Sequence, residues 1–172
     1  MFKKVKDGKL PTRGSKYSAC VDLYAREDVV IGAGETKLVS LGVCLDMDML
    51  TRTLFHNSNG KYPEAWRDRL EKFISKHYLQ LMPRSSLALK TGLIMPSVGI
   101  IDMDYTGEIG IVLNNPTDAR DFNIEEGFKN SQLKIFAGDR IAQITLLEHK
   151  SSMFRIDTDV VRNGGFGSSG DI

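Results

Sequence analysis

Apolar runs of only a few residues recur along the chain, each closed by glycine or by a cluster of polar side chains. Residues 29–31, 36–41, 79–81, 109–113 and 141–147 are of this kind. β-Branched and aliphatic side chains in runs this short, separated by turn residues, predict strands rather than helices. Their rhythm predicts an all-β barrel or sandwich. A period near 3.6 is convincing once, across residues 63–76. There Trp66, Leu70, Phe73 and Ile74 share one face, predicting an amphipathic helix with Pro63 in its first turn. Residues 82–92 predict a shorter helix with serine at its start and Gly92 past its end. Residues 99–110 read as a hairpin with a polar mouth: Ile100 and Ile101 lead in, Ile109 leads out, and Thr106-Gly107 supplies the turn. No internal repeat is visible. The one low-complexity stretch, residues 164–170, is too rich in glycine and serine to pack unaided.

Composition narrows the function classes. A chain of 172 residues, 41% hydrophobic and 26% charged, suffices for one domain with a sizeable core. With 23 basic against 22 acidic side chains the net charge is +1, so no bulk field recruits nucleic acid or an anionic membrane. Any anion site must be built locally. Met1 to Gly8 lacks the apolar core of a signal peptide, and no run approaches a transmembrane length. The expectation is a soluble, cytoplasmic protein with no membrane or direct nucleic-acid partner. Cys20 and Cys44 lack metal-ligand spacing and read as small apolar fillers in a reducing compartment.

Five stretches carry candidate chemistry. Ser18-Ala19-Cys20-Val21-Asp22-Leu23-Tyr24-Ala25 is a strand with one acid. Pro83-Arg84-Ser85-Ser86 offers a guanidinium and two hydroxyls at a helix start, a cradle suited to phosphate. Asp102 and Asp104, two apart, would share a face in a regular strand, and such a pair serves metal binding or acid–base work. Gly138-Asp139-Arg140-Ile141-Ala142-Gln143 is a turn feeding a strand. In the last stretch, residues 162–170, Phe166 can stack on a nucleobase while flanking N–H groups and hydroxyls wrap phosphate oxygens.

In this order the five stretches resemble the five motifs of the homotrimeric dUTPases, the dUTP diphosphatase family. Residues 99–108 follow the third motif, Gly-x-x-Asp-x-Asp-Tyr-x-Gly-x, and residues 138–143 match the fourth without a mismatch. Pro83 to Ser86 match the second. The first carries Cys20 where glycine is usual, and the fifth lacks one residue between Arg162 and Phe166. The resemblance implies a distorted β jelly-roll subunit of a homotrimer, residues 1–161, with a tail, residues 162–172, that closes a site built by its neighbours. It implies hydrolysis of dUTP to dUMP and pyrophosphate by water attacking the α-phosphorus, with Mg²⁺ bridging phosphate oxygens.

By the same resemblance Asp102 is the catalytic base, with Asp104 in a supporting role, and Tyr105 packs against the sugar and excludes a ribose 2′-hydroxyl. Backbone around Met95 to Gly99 pairs with the uracil edge, and Asp22 holds the hydrated magnesium ion through water. Arg84, Ser85 and Ser86 hold the triphosphate, Gln143 reaches the α-phosphate, and Arg140 braces neighbouring motifs. Arg162, Phe166, Gly167 and Ser168 belong to the closing tail. An insertion at about residues 47–78, of a sort that suits a phage or viral member, separates the first two motifs, and a smaller expansion falls within 121–135. Its helix buries its stripe either on the barrel exterior or on a protein partner. Two other readings stay open: dCTP deamination within the same superfamily, and a regulatory protein-binding module on this fold.

Overall fold

Alternation of buried and exposed side chains sets the strands, and short polar turns set their ends. The computed structural model describes residues 1–55, 65–118 and 132–154. In chain order the strands are β1 (Phe2–Lys4), β2 (Thr12–Arg13), β3 (Val21–Tyr24), β4 (Val29–Ile31), β5 (Thr36–Ser40) and β6 (Val43–Leu45). Two helices follow, α1 (Met47–Phe55) and α2 (Trp66–Ile74), then β7 (His77–Pro83) and α3 (Ser85–Thr91). The chain goes on through β8 (Gly99–Asp102), β9 (Gly110–Asn114), β10 (Leu133–Ile135) and β11 (Arg140–Glu148), and a 3₁₀ turn spans Ser151–Phe154.

All pairing is antiparallel. One five-stranded sheet runs β2-β3-β11-β7-β8, and β1-β6, β4-β10 and β5-β9 form separate pairs. The inward faces meet in a single core that includes Leu23, Ile31, Val39, Leu79, Ile111 and Ile144, in the manner of a jelly roll rather than a closed barrel. Every run expected to be a strand is one, and β7 and β11 extend beyond their expected ends. At the β4–β5 turn Glu35 accepts the Gly32 N–H at 2.7 Å and pairs with Lys37 at 3.0 Å. The Gly32 bond first, then Lys37, hold its carboxyl below the ordinary value. What this adds to stability is present above the ordinary carboxylate range and is lost as pH falls through the lowered one.

The expected hairpin at residues 99–110 is not formed. β8 pairs with β7 and β9 with β5, so residues 103–109 carry the chain from one sheet to another. Burial explains the difference: Met103 and Ile109 both anchor in the core, and Ile109 bonds through its backbone to Leu41 and Val43. The connection is pinned to the β5–β6 segment instead of folding back on itself.

Between β6 and β7 there is a helix that the apolar period does not announce. α1 starts behind Asp46, whose side chain accepts the Met49 N–H at 2.9 Å, and it buries Leu50 and Thr51. The expected helix begins at Trp66 rather than Pro63, behind Ala65 in a left-handed conformation; Pro63 lies outside the described residues. Its stripe packs at home: Leu70, Phe73 and Ile74 lie against the core, and Phe73 stacks on His77 at 4.0 Å between centroids. Trp66 stays half-exposed beneath the Arg67 guanidinium. Both cysteines are free, Cys44 buried and Cys20 half-buried. Among described non-glycine residues only Lys6 and Ala65 have positive φ, so the backbone at Cys20 adopts no conformation that demands glycine. None of the described helices is long and apolar enough to cross a membrane.

Phe73→Ala removes a ring that is only partly buried, so the expected loss is about 2 kcal/mol, below the ~3–5 kcal/mol of a fully buried aromatic. Chemical denaturation with an unchanged m-value would measure it. An unchanged midpoint would show that the Phe73 ring contributes nothing to the fold.

Candidate active site

The site residues fall into two groups, one at each end of β7. At the first end Asp102 closes β8, exposed between buried Ile101 and Met103, and Asp104 is exposed in the turn that follows. Asp104 lies past the strand end, so the alternation of a regular strand does not extend to it. Beyond them the chain turns tightly. The Tyr105 N–H donates to the Asp102 carbonyl at 3.1 Å, and the Tyr105 hydroxyl donates to the Glu108 carbonyl at 3.0 Å. A Cβ at Gly107 would come within 2.5 Å of the Tyr105 hydroxyl oxygen, so a side chain there would displace the tip of the ring. Glu108 is itself tied down, accepting from Arg26 at 2.5 Å and from the Gly42 N–H at 3.0 Å.

Gly99 opens β8 where a Cβ would come within 2.8 Å of the Leu81 carbonyl oxygen and 2.9 Å of the Met95 methyl. The close approach leaves a pocket of about 220 Å³ whose lining includes Leu81, Met95, Gly99, Tyr105, Ile109 and Gly110. Apolar walls, one tyrosine and a run of main-chain groups suit a flat ring with hydrogen-bonding edges.

At the other end the centre is Asp22, only 8% exposed on β3. One of its oxygens lies 3.1 Å from Arg84 Nε, and the other accepts from Arg140 Nη1 at 3.4 Å. Gln143 sits opposite Asp22 on one side and Met82 on the other, and its amide donates to the Pro83 carbonyl at 3.2 Å. Arg84, extended, occupies the cap position of α3 and makes no side-chain capping bond, and Ser85 is the first helical residue, the serine expected at the helix start. Gly92 ends the helix at φ 74° as expected. A second pocket, about 360 Å³, lies beside this group and is lined in part by Arg84, Ser86, Lys90, Lys134, Asp139 and Arg140. No group of three or more His, Cys, Asp or Glu side chains that could hold a metal occurs among the described residues.

The two groups do not meet within one chain. Asp102 is paired with Tyr78 near the start of β7, whereas Arg84 follows Pro83 at its end. Six residues of strand separate those points, roughly 20 Å at about 3.3 Å per residue. Arg162, Phe166, Gly167 and Ser168 lie outside the described residues. Sequence reasoning missed the Glu108–Arg26 pair, whose members are 82 positions apart, and the two lysines of the second pocket. A lysine in a helix or on a strand carries no local mark of facing a cleft; only the fold brings the two together.

A family model described as dUTPase matches residues 72–170. A deoxyuridine 5′-triphosphate nucleotidohydrolase of Debaryomyces hansenii is 34% identical over 173 residues, covering 99% of this chain and 86% of its own. Among solved structures, a mutant Staphylococcus bacteriophage 80alpha dUTPase with dUpNHpp superposes with a TM-score of 0.63 at 21% identity, covering 99% of this chain and 98% of its own. A mutant dUTPase from phage phi11 of S. aureus, in which a structural Mg(II) ion is coordinated, gives 0.63 at 19% identity, covering 96% and 98%. The model match takes in Arg84, Asp102 and Gln143, and the identity to the yeast enzyme runs along nearly the whole chain: this chain belongs to the dUTPase family.

Proposed function

We propose that the chain hydrolyses dUTP to dUMP and pyrophosphate, in sites that two or more copies of a homotrimer build together. The observation that carries this reading is the roughly 20 Å of strand between Asp102 and Arg84. A general base must lie within one hydrogen bond of the water that attacks phosphorus. One chain supplies a nucleoside pocket with a carboxylate at its rim and, out of reach, a cationic phosphate cradle. Joining the first half of one copy to the second half of another completes a site.

In that joined site the base and sugar enter the pocket behind Tyr105, where main-chain groups of residues 95–99 pair with the uracil edge. Mispairing leaves buried polar groups unsatisfied, which makes the selection steep. Asp102 takes a proton from the attacking water, and Asp104 supports it. From the other copy Arg84, oriented by Asp22, binds phosphate oxygens with Ser85 and Ser86, and Gln143 reaches the α-phosphate. Arg140 shares the Asp22 carboxylate and braces the group. Arg162, Phe166, Gly167 and Ser168, in a tail of residues 162–172, close over the substrate.

A divalent cation caged by the protein alone does not fit this donor set, because the one central carboxylate already faces two guanidinium groups. A hydrated Mg²⁺ carried in on the triphosphate does fit, with Asp22 accepting from its waters, since this ion keeps several waters and few carboxylates. When bound, the ion supplies neutralisation of the phosphate charge.

Incubation with each deoxynucleoside triphosphate and Mg²⁺ tests the reading: pyrophosphate from dUTP alone is expected. Ammonia from dCTP would move the chain to deamination, and inertness toward all of them would leave a binding module. Asp102→Asn keeps size and shape but removes the base, so kcat should fall ~10²–10⁴-fold with dUTP binding retained. A near-normal kcat would refute the role. Asp22→Asn should instead raise KM and cost stability, between the ~0.2–1 kcal/mol of an exposed ion pair and the ~3–5 kcal/mol of a buried one. Unchanged KM and unchanged unfolding midpoint together would show that Asp22 does not orient Arg84.

A further inference from the structure

We propose that Arg26 is a specificity-determining residue: acting through Glu108, it holds Tyr105 where the ring turns away a ribose 2′-hydroxyl. The assignment rests on the reading of Tyr105 as the wall beside the sugar. Arg26 is not one of the residues lining that pocket. It follows β3, and its backbone N–H donates to the Ser40 carbonyl at 3.0 Å. Its Nη1 donates to one carboxylate oxygen of Glu108 at 2.5 Å, while the other oxygen accepts the Gly42 N–H at 3.0 Å. Both side chains of the pair are largely shielded, so solvent and salt screen it less than an exposed pair. The side chain of Glu108 is thus held at two points, and its main-chain carbonyl is the group to which the Tyr105 hydroxyl donates at 3.0 Å.

The ordinary explanation is a staple that fastens the connection between β8 and β9 to the body of the fold and contributes stability alone. It accounts for the carboxylate and leaves out the carbonyl. Tyr105 is tied at its N–H to Asp102, so the bond to Glu108 is what fixes the far end of the ring. There is little slack between the two, since even a Cβ on Gly107 would press on the hydroxyl. The support is firm as well: Gly42, at φ 66°, packs directly on Gly8, and the Gly42 carbonyl accepts the Val5 N–H at 2.9 Å. Movement of Glu108 therefore passes to the ring, and where geometry decides a rate a shift of about 1 Å costs ~10²-fold. Arg26 also meets Glu27 at 3.2 Å, but that acid is exposed and next in sequence, a partner worth little and unrelated to the pocket.

The test is the ratio of kcat/KM for dUTP to kcat/KM for UTP in Arg26→Met, which keeps the aliphatic stem and removes the guanidinium. Two substrates compared on the same molecules report nothing about the folded fraction, so a purely stabilising staple would leave the ratio alone. It should fall about tenfold, the low end of what one packing contact contributes to discrimination. Arg26→Lys should recover most of the loss. Glu108→Gln, which retains an acceptor for Gly42 and weakens only the charged bond, should lower the ratio in the same direction and keeps the test alive if Arg26→Met does not fold. An unchanged ratio in the folded variants, whatever their unfolding midpoints, would overturn the inference. Calorimetric titration with dUMP and UMP requires no turnover and separates this inference from the hydrolase reading. A chain inert toward dUTP whose preference for dUMP depends on Arg26 would support the role and sink that reading; a chain that hydrolyses dUTP with a preference indifferent to Arg26, or with none, would do the reverse.

Discussion

A carboxylate that is almost wholly removed from water must find positive charge, and Asp22 finds it in two guanidinium groups from distant parts of the chain. The two contacts are not equal. Arg140 is about half-exposed, with a side-chain accessibility of 52%, and its 3.4 Å contact competes with water; Arg84 is at 26% and approaches to 3.1 Å. Exposed pairs contribute little and buried ones are costly to break, so Arg84 is the partner that this carboxylate holds. The consequence reaches beyond the pair. β3, the end of β7, the start of α3 and the start of β11 all meet at this point, and their register there sets the direction of every group in the proposed phosphate cradle.

The opposite half depends on a different kind of restraint. Its acid is exposed, and what fixes it is the chain on either side: Met103 and Ile109 are sunk in the core, and Glu108 grips Arg26 and the Gly42 N–H. Tyr105 is braced between its own N–H and its hydroxyl, with room made by Gly107. The exposed carboxylate sits on a corner tied down at both ends, with an aromatic wall beside it. Each half thus has the polarity that the proposed division of the chemistry asks of it, and neither carries the restraint the other uses.

Much of this could be read from residue order. Strands of five or more residues advertise themselves by composition and by the turns around them, as β5, β9 and β11 do. β1, β2, β6 and β10, with two or three residues each, are too short to show a period and exist because neighbours pair with them. α1 escaped notice because threonines interrupt its apolar face, although Asp46 three residues ahead of Met49 is a legible start signal. The corner at residues 103–109 was misread as a hairpin because turn chemistry is local while the choice of partner strand is decided by core burial. The candidate site residues could be named by type and spacing. Their grouping could not: Asp22 and Arg140 stand 118 positions apart, and nothing near either one names the other.

The length of β7 has a genetic corollary. On the proposed assembly, a polypeptide with a defective carboxylate corner still carries an intact phosphate cradle, and one with a defective cradle still carries an intact corner. Coexpressed, the two lesions would be distributed over different interfaces, so that some junctions unite two sound halves and others two damaged ones. Alleles that are each inactive alone would then complement in a mixed trimer, while a double lesion in one polypeptide would damage both halves it contributes. Dominance in this protein would follow the end of a single strand on which a mutation falls.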